Sequence, residues 1–402
     1  MKALFVTFVL VLVTISCAQE PSAAAGWSFV GSDQAHTKYS AAEEITASNV
    51  GELEIAWKWE PKETPLEEYD TQQGPFQATP IMVNGILYLS TMYTRVAALD
   101  AETGAERWTF ERQWVFFTIP QSSDDFGADT WQDESWRITG HANLWGLMSL
   151  DTERGLLYVP TSTPSSDYWG GRRKGADLFA ESLVCLDAHT GERKWHFQTV
   201  HHGLWDYDLS AAPNLVTITV DGREIDAVAQ VAKNGFTYVF DRVTGEPGGP
   251  IEERAVDTVT DVPGEELYPT QPFPTKPPPF ARQGVTLEDA NDLTPEIHAL
   301  AVAEMKRFRL GPLFTPPSLQ GTLQRPGASG GANWGGAAFD PETGFLYVRT
   351  TEDADTNQVC ESSGDDPRVD VEYSNNCPYG ATLVMYREAG GPGAAQAPES
   401  KQ

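Results

Sequence analysis

Four short stretches concentrate the side chains that could do chemistry. The segment His201-His202-Gly203-Leu204-Trp205-Asp206-Tyr207-Asp208-Leu209 places two imidazoles, two carboxylates and two large rings within nine residues. Twenty-seven residues past Asp206 stands Lys233, within Gln230-Val231-Ala232-Lys233-Asn234-Gly235 and directly before a strand-like run. Upstream lies Gly140-His141-Ala142-Asn143-Leu144-Trp145, and downstream Gly330-Gly331-Ala332-Asn333-Trp334-Gly335-Gly336. A carboxylate can take a hydroxyl proton, an ammonium can stabilise developing negative charge, and indoles offer flat faces. Together these turn-rich segments suit a flat, anionic, carbonyl-bearing ligand. Each residue also has a plainer use: Asp206 and Asp208 could close a turn, Lys233 could be solvated, and Trp145 and Trp334 could be packing residues. His201 and His202 look like metal ligands, yet neighbours in an extended segment face opposite ways, so both rarely meet one ion. They read as hydrogen-bonding residues that shape the site.

The elements that must carry these stretches announce themselves as repeats. Ala98-Leu99-Asp100-Ala101-Glu102-Thr103-Gly104, ending in Trp108, returns as Cys185-Leu186-Asp187-Ala188-His189-Thr190-Gly191, ending in Trp195. Partial copies surround Asp241 to Gly245 and Asp340 to Gly344, and a weaker one runs from Leu150 through Asp151 to Gly155. An Asp side chain can cap a hairpin turn, and a Gly supplies the positive φ that closes it. A Trp a few residues on is wide enough to cover a neighbouring sheet. Asp151 to Asp187 is 36 residues and Asp187 to Asp241 is 54. Strand, turn and Trp at such spacing indicate the blades of an all-β propeller. The propeller domain is expected over residues 26–389.

Two stretches fall outside the blades. The first is residues 246–330: Glu246 to Phe280 is Pro-rich, with Pro269, Pro272, Pro274 and Pro277 to Pro279, and is expected to be a long surface excursion that leads into one helix. There Thr294 is the N-cap, Pro295 the first helical residue, apolar residues recur through Phe308, and Gly311-Pro312 is the stop. Residues 390–402 are rich in Gly, Ala, Pro and Gln and are expected to be disordered.

Composition narrows the class. The 402 residues carry 28 Lys+Arg against 57 Asp+Glu, a net charge of −29, which argues against standing affinity for nucleic acid or anionic lipid. No C-x-x-C occurs among the 4 Cys, so thioredoxin chemistry, a zinc ribbon and c-type haem attachment lose their usual signal. Cys360 and Cys377 enclose a Gly/Asp/Asn-rich loop and could form a disulfide of about 3 kcal/mol, whereas Cys185 reads as a buried thiol. Residues 1–17 form an export signal: Met1-Lys2, then an apolar run to Ile15 that is too short to span a bilayer. Ser16-Cys17-Ala18 resembles a bacterial lipoprotein cleavage box, which would make Cys17 a lipidated N-terminus; the alternative is ordinary secretory cleavage near Ala18 or Ala25. Export to the periplasm or outer membrane follows from either, with a lipid anchor as the one membrane contact.

Through Tyr168-Trp169-Gly170-Gly171, His201 to Leu209 and Gly330 to Gly336, the sequence resembles the pyrroloquinoline quinone (PQQ) dependent dehydrogenases, in their glucose dehydrogenase-like branch. That resemblance implies an eight-bladed propeller, PQQ as cofactor and a calcium or magnesium ion as Lewis acid. It implies Asp206 as catalytic base, Lys233 on the cofactor oxygens, Trp145 stacked beneath the ring system, and Asn333 with Trp334 at the cofactor edge. It implies a small alcohol or sugar substrate and a membrane quinone or other external electron acceptor. The resemblance is interrupted: Arg107 to Phe110 matches an early blade and Phe116 to Pro120 the end of a much later one, with Glu111 to Val115 between them. About two blades are therefore expected to be missing there, and with them an arginine at the cofactor and the ligands of the metal, whose identity the sequence leaves unknown. The closing blades after Leu383 are expected to be absent as well. A propeller so shortened has unpaired sheet edges. Two rivals remain: a non-catalytic propeller lipoprotein that scaffolds partners, and a metal-dependent hydrolase using His201, His202 and Asp206.

Overall fold

A computed structural model describes Trp27 and residues 43–61, 79–91, 96–110, 114–220, 222–362, 372–375 and 377. The expected export signal with Cys17 and the tail 390–402 lie outside the described residues. The chain divides into two compact units, residues 1–112 and 113–402.

The first unit is built on one antiparallel meander: β1 (Ile81–Val83), β2 (Ile86–Ser90), β3 (Val96–Asp100) and β4 (Glu106–Phe110), in that spatial order. Leu89, Ala97 and Leu99 form its buried face against Trp57 and Trp59. Asp100 Oδ1 accepts from Thr103 N at 2.9 Å and so caps the β3–β4 turn, and Gly104 closes it at φ 70°. This is the turn chemistry expected of the repeated phrase.

The second unit repeats the pattern. A four-stranded meander comprises β5 (Ser149–Asp151), β6 (Leu156–Pro160), β7 (Ser182–Asp187) and β8 (Arg193–Gln198). Next comes a three-stranded sheet of β9 (Asn214–Val220), β10 (Arg223–Val231) and β11 (Thr237–Asp241), ordered β11-β10-β9. Asp187 Oδ1 accepts from His189 N and Thr190 N, both at 3.0 Å, and Asp241 Oδ1 from Val243 N and Thr244 N at 2.9 and 2.8 Å. The main core joins these sheets through Tyr158, Leu183, Trp195, Trp205, Tyr207, Val228, Tyr238, Phe240 and Phe314.

One contact recurs and explains why a Trp belongs to the phrase. The indole N–H of Trp195 donates to Arg242 O at 3.0 Å and its ring covers Gly245. Trp114 does the same to Ala188 O at 3.2 Å over Gly191, and Trp57 to Ala101 O at 3.1 Å over Gly104. In each case the acceptor is the residue after the capping Asp, and a side chain on the glycine would collide with the ring.

The Pro-rich segment is more integrated than a surface excursion. It pairs β12 (Ile251–Ala255) with β13 (Thr270–Pro274), and Gln271 is fully buried. The helix α1 (Pro295–Met305) starts where expected, with Thr294 Oγ1 accepting from Ile297 N at 3.2 Å. It ends before Phe308. That ring stays buried with Ala301 and Met305, which is why the apolar period outruns the helix. Short pairs complete the unit: β14 (Thr322–Gln324) with β17 (Asp355–Asn357), β15 (Ala337–Asp340) with β16 (Phe345–Val348), and β18 (Cys360–Glu361) with β19 (Tyr373–Ser374). Cys360 and Cys377 are disulfide-bonded, and Cys185 is a buried free thiol.

Candidate active site and family

Four of the residues singled out by sequence meet in the second unit. The loop after β8 carries Asp206, the turn after β10 carries Lys233, the segment before β5 carries Trp145, and the loop before β15 carries Trp334. Lys233 Nζ donates to Asp206 Oδ1 at 3.2 Å and to Asp208 Oδ2 at 2.9 Å. It also lies 5.5 Å from the centre of the Trp145 ring, a cation–π distance. Trp145 and Trp334 meet edge to face, with centroids 5.1 Å apart.

Access differs sharply within this group. Lys233 is 3% exposed, whereas Trp145 is 39% and Trp334 67% exposed, so a buried ammonium lies beside two indoles that meet solvent. Gly330 lets the downstream loop approach, since a Cβ there would come within 2.5 Å of Lys233 Cγ, and Gly331 N donates to Lys233 O at 2.7 Å. Asn333 serves its own loop. Its Nδ2 donates to Ser329 O at 2.9 Å and its Oδ1 accepts from Trp334 N at 2.8 Å, which orients Trp334; it makes no hydrogen bond to Asp206, Lys233 or Trp145.

Asp208 is the participant that sequence reasoning left as a turn former. Its spacing from Asp206 carried no direction, because Asp206 at φ 54° interrupts any extended run. Asp208 Oδ1 accepts from Thr163 N at 2.7 Å. Burial alone would raise its pKa, but the Lys233 charge and the Thr163 N–H outweigh that and hold it below the usual carboxylate range. Asp206 goes the other way: burial, with the negative charge of Asp208 beside it, pushes it up to about 8 despite Lys233. Two interacting carboxylates with one ammonium thus divide into one that stays ionised and one that holds its proton to higher pH. Burial would depress Lys233, yet its two carboxylate partners keep it raised and charged. Behind the pair, Glu181 is fully buried. Its Oε1 accepts from Thr163 Oγ1 at 3.0 Å, its Oε2 has no partner among the described residues, and burial pushes its pKa to about 8.

The two histidines do not converge on one point. His201 Nδ1 is hydrogen-bonded to Gln198 Oε1 at 2.9 Å and its Nε2 to Glu253 at 3.2 Å. His202 Nδ1 lies 3.0 Å from Gly175 O, and its Nε2 is 2.8 Å from Glu265 Oε1. Among the described residues no group of three His, Cys, Asp or Glu side chains is disposed to hold a metal ion. A planar anionic quinone suits the donors present: an ammonium with a third N–H left after its two carboxylates, an exposed indole face beside it, and a second indole at the rim.

Comparison with known proteins agrees with this reading of the fold. The PQQ glucose/ethanol/alcohol dehydrogenase β-propeller domain matches residues 27–115 and 111–388, two segments that meet where the sequence resemblance is interrupted. The quinate/shikimate dehydrogenase (quinone) of Acinetobacter baylyi is 35% identical over 255 residues, 63% of this chain and 30% of that protein. The quinoprotein glucose dehydrogenase of Escherichia coli is 32% identical over 292 residues, 68% of this chain and 34% of that protein. Among solved structures, a quinohemoprotein alcohol dehydrogenase from Pseudomonas putida superimposes with a TM-score of 0.51 at 19% identity, over 87% of this chain and 60% of that one, a likeness of fold. The chain spans about a third of the length of the curated relatives it matches. It belongs to the PQQ glucose/ethanol/alcohol dehydrogenase β-propeller family.

Proposed function

We propose that this chain forms part of an exported PQQ-dependent dehydrogenase that oxidises the hydroxyl of an alcohol or an aldose and passes electrons to a membrane quinone or another external acceptor. The observation that supports it most is the placement of Lys233 between Asp206 and Asp208 and beneath the exposed indole of Trp145. Bound PQQ would supply the two-electron acceptor for the hydride leaving the carbinol carbon. Trp145 would hold it by its face, the third N–H of Lys233 by a carbonyl oxygen, and Trp334 with the remaining amide N–H of Asn333 by its edge. Calcium or magnesium is the family's ion; its ligands are not assembled among the described residues, and no step is assigned to it. Asp206, once ionised, accepts the substrate hydroxyl proton at its carboxylate. Asp208 stays ionised and holds Lys233 in place. Export, with a lipid anchor at Cys17, completes the proposal.

The join at residues 111–115 favours a second reading, a propeller lipoprotein that holds partners without turnover. One experiment separates the two. PQQ and calcium are added to the purified chain while tryptophan fluorescence and dye reduction by glucose or ethanol are followed. The dehydrogenase reading expects saturable quenching and PQQ-dependent reduction, with Asp206→Asn still quenching but losing at least about a hundredfold in rate. Quenching without reduction in the unaltered chain supports the scaffold, and no quenching at all overturns the cofactor site.

A further inference from the structure

We infer that Glu265 is a positioning residue for Asp206: from the loop between β12 and β13 its carboxylate locks His202, and through it the loop 201–208, onto the loop 165–178. The inference rests on the proposed role of Asp206, although the lock itself does not.

The loop needs a lock. It has no regular structure, and two of its non-glycine residues, His202 at φ 50° and Asp206 at φ 54°, sit in the left-handed region. Such residues persist where their surroundings over-determine them. Only three residues separate His202 from Asp206. Glu265 Oε1 meets His202 Nε2 at 2.8 Å, and Glu265 Oε2 accepts from Gly170 N at 2.6 Å, so one carboxylate grips both loops. His202 Nδ1 faces Gly175 O, which can only accept, and Nε2 faces a carboxylate oxygen; both nitrogens therefore carry hydrogen and the ring is an imidazolium. Asp177 lies 3.4 Å from the same ring. Arg173 pairs with Asp177 at 2.8 Å and donates to Ser166 O at 2.8 Å and to Gly203 O, on the far side of His202.

The four side chains are between 0% and 3% exposed. Two cations meet two anions, so the cluster is neutral in sum and its partners cannot be traded for water. The burial of His202 works against its charge, but Asp177 and Glu265 overcome that and carry its pKa to about 9. The arrangement also accounts for sequence features with no other use here. Gly170, in the Tyr168-Trp169-Gly170-Gly171 motif, leaves room for the imidazole, since a Cβ would come within 2.5 Å of His202 Nε2. Gly203 leaves room for the Glu181 carboxylate in the same way. The β12–β13 segment thus reaches this loop through Glu265, beside the hydrogen bonds that Gln271 makes with the His201 backbone and Glu253 with the His201 ring.

Glu265→Leu removes the carboxylate and with it both grips, on His202 and on Gly170. His202→Asn removes the other end. In the full chain, amide hydrogen exchange in 201–208 and 166–175 is expected to rise about tenfold or more in both variants, with β7 and β10 unchanged. In protein loaded with PQQ and calcium, kcat is expected to fall about tenfold with KM nearly constant, because Asp206 is misplaced while substrate contacts persist. The double variant should be no worse than either single one. Unaltered exchange in 201–208 in both variants would overturn the lock. Exchange raised throughout the unit, β7 included, would show a general structural role and overturn the positioning role. The predicted exchange pattern without turnover in the unaltered protein would leave the lock standing and remove the dehydrogenase reading instead.

Discussion

Two buried ionic clusters share the loop 201–208, and they differ in balance and in access. Arg173, Asp177, His202 and Glu265 match two positive charges with two negative ones behind closed walls. Lys233, Asp206 and Asp208 set one positive charge against two negative ones, and the Asp206 side chain is 22% exposed. The first cluster has no reason to exchange a proton. The second cannot keep both carboxylates ionised cheaply, so Asp206 holds a proton until about pH 8 and is free to exchange it above that. Stoichiometry and partial exposure, with nearly the same residue types, separate a lock from a reactive site.

Removing a cation from each cluster should show the difference. Arg173→Met leaves the buried Asp177 to the His202 imidazolium that it shares with Glu265, and is expected to cost about 3–5 kcal/mol in denaturant unfolding at any pH near neutrality. Lys233→Met should cost less at pH 6, roughly 1–3 kcal/mol, because Asp206 holds a proton there with or without Lys233, and more at pH 9, where the unaltered chain ionises Asp206 against Lys233 and the variant has no cation for it. Equal costs at both pH values for Lys233→Met would erase the distinction.

A smaller effect follows from proton linkage. Asp206 and Glu181 have folded pKa values near 8, far above their ordinary 3.8 and 4.5. Over that interval the folded chain binds more protons than the unfolded one, so their contribution to stability is full below about pH 4 and is lost as pH rises through 8. His202, raised from 6.5 to about 9, acts with the same sign at higher pH. Stability should therefore decline between about pH 5 and 8, and Asp206→Asn should flatten part of that slope in urea unfolding curves. A slope left unchanged by the substitution would separate Asp206 from the pair.

The sequence was most readable where interactions are local. Asp187 reaches only to residues 189 and 190, and its turn could be foreseen from the phrase alone. The same holds for the N-cap at Thr294. The convergence of Asp206, Lys233, Trp145 and Trp334 was foreseeable only through family resemblance, since Trp145 and Trp334 lie far apart in the chain. The lock was not legible at all. Glu265 sits 63 residues from His202 in a Pro-rich segment, among many acidic residues, and nothing in its neighbours marks it as buried. Asp208 was visible but undecided, because its role depends on Thr163, 45 residues away.

The pH dependence of PQQ-dependent dye reduction tests the central claim most directly, that Asp206, Asp208 and Lys233 titrate as one site. In the unaltered chain the rate should climb through about pH 8 as Asp206 ionises. In Asp208→Asn, with the neighbouring negative charge gone and Lys233 left to Asp206, that limb should move about one unit or more toward acid. A limb that stays where it was would contradict the account.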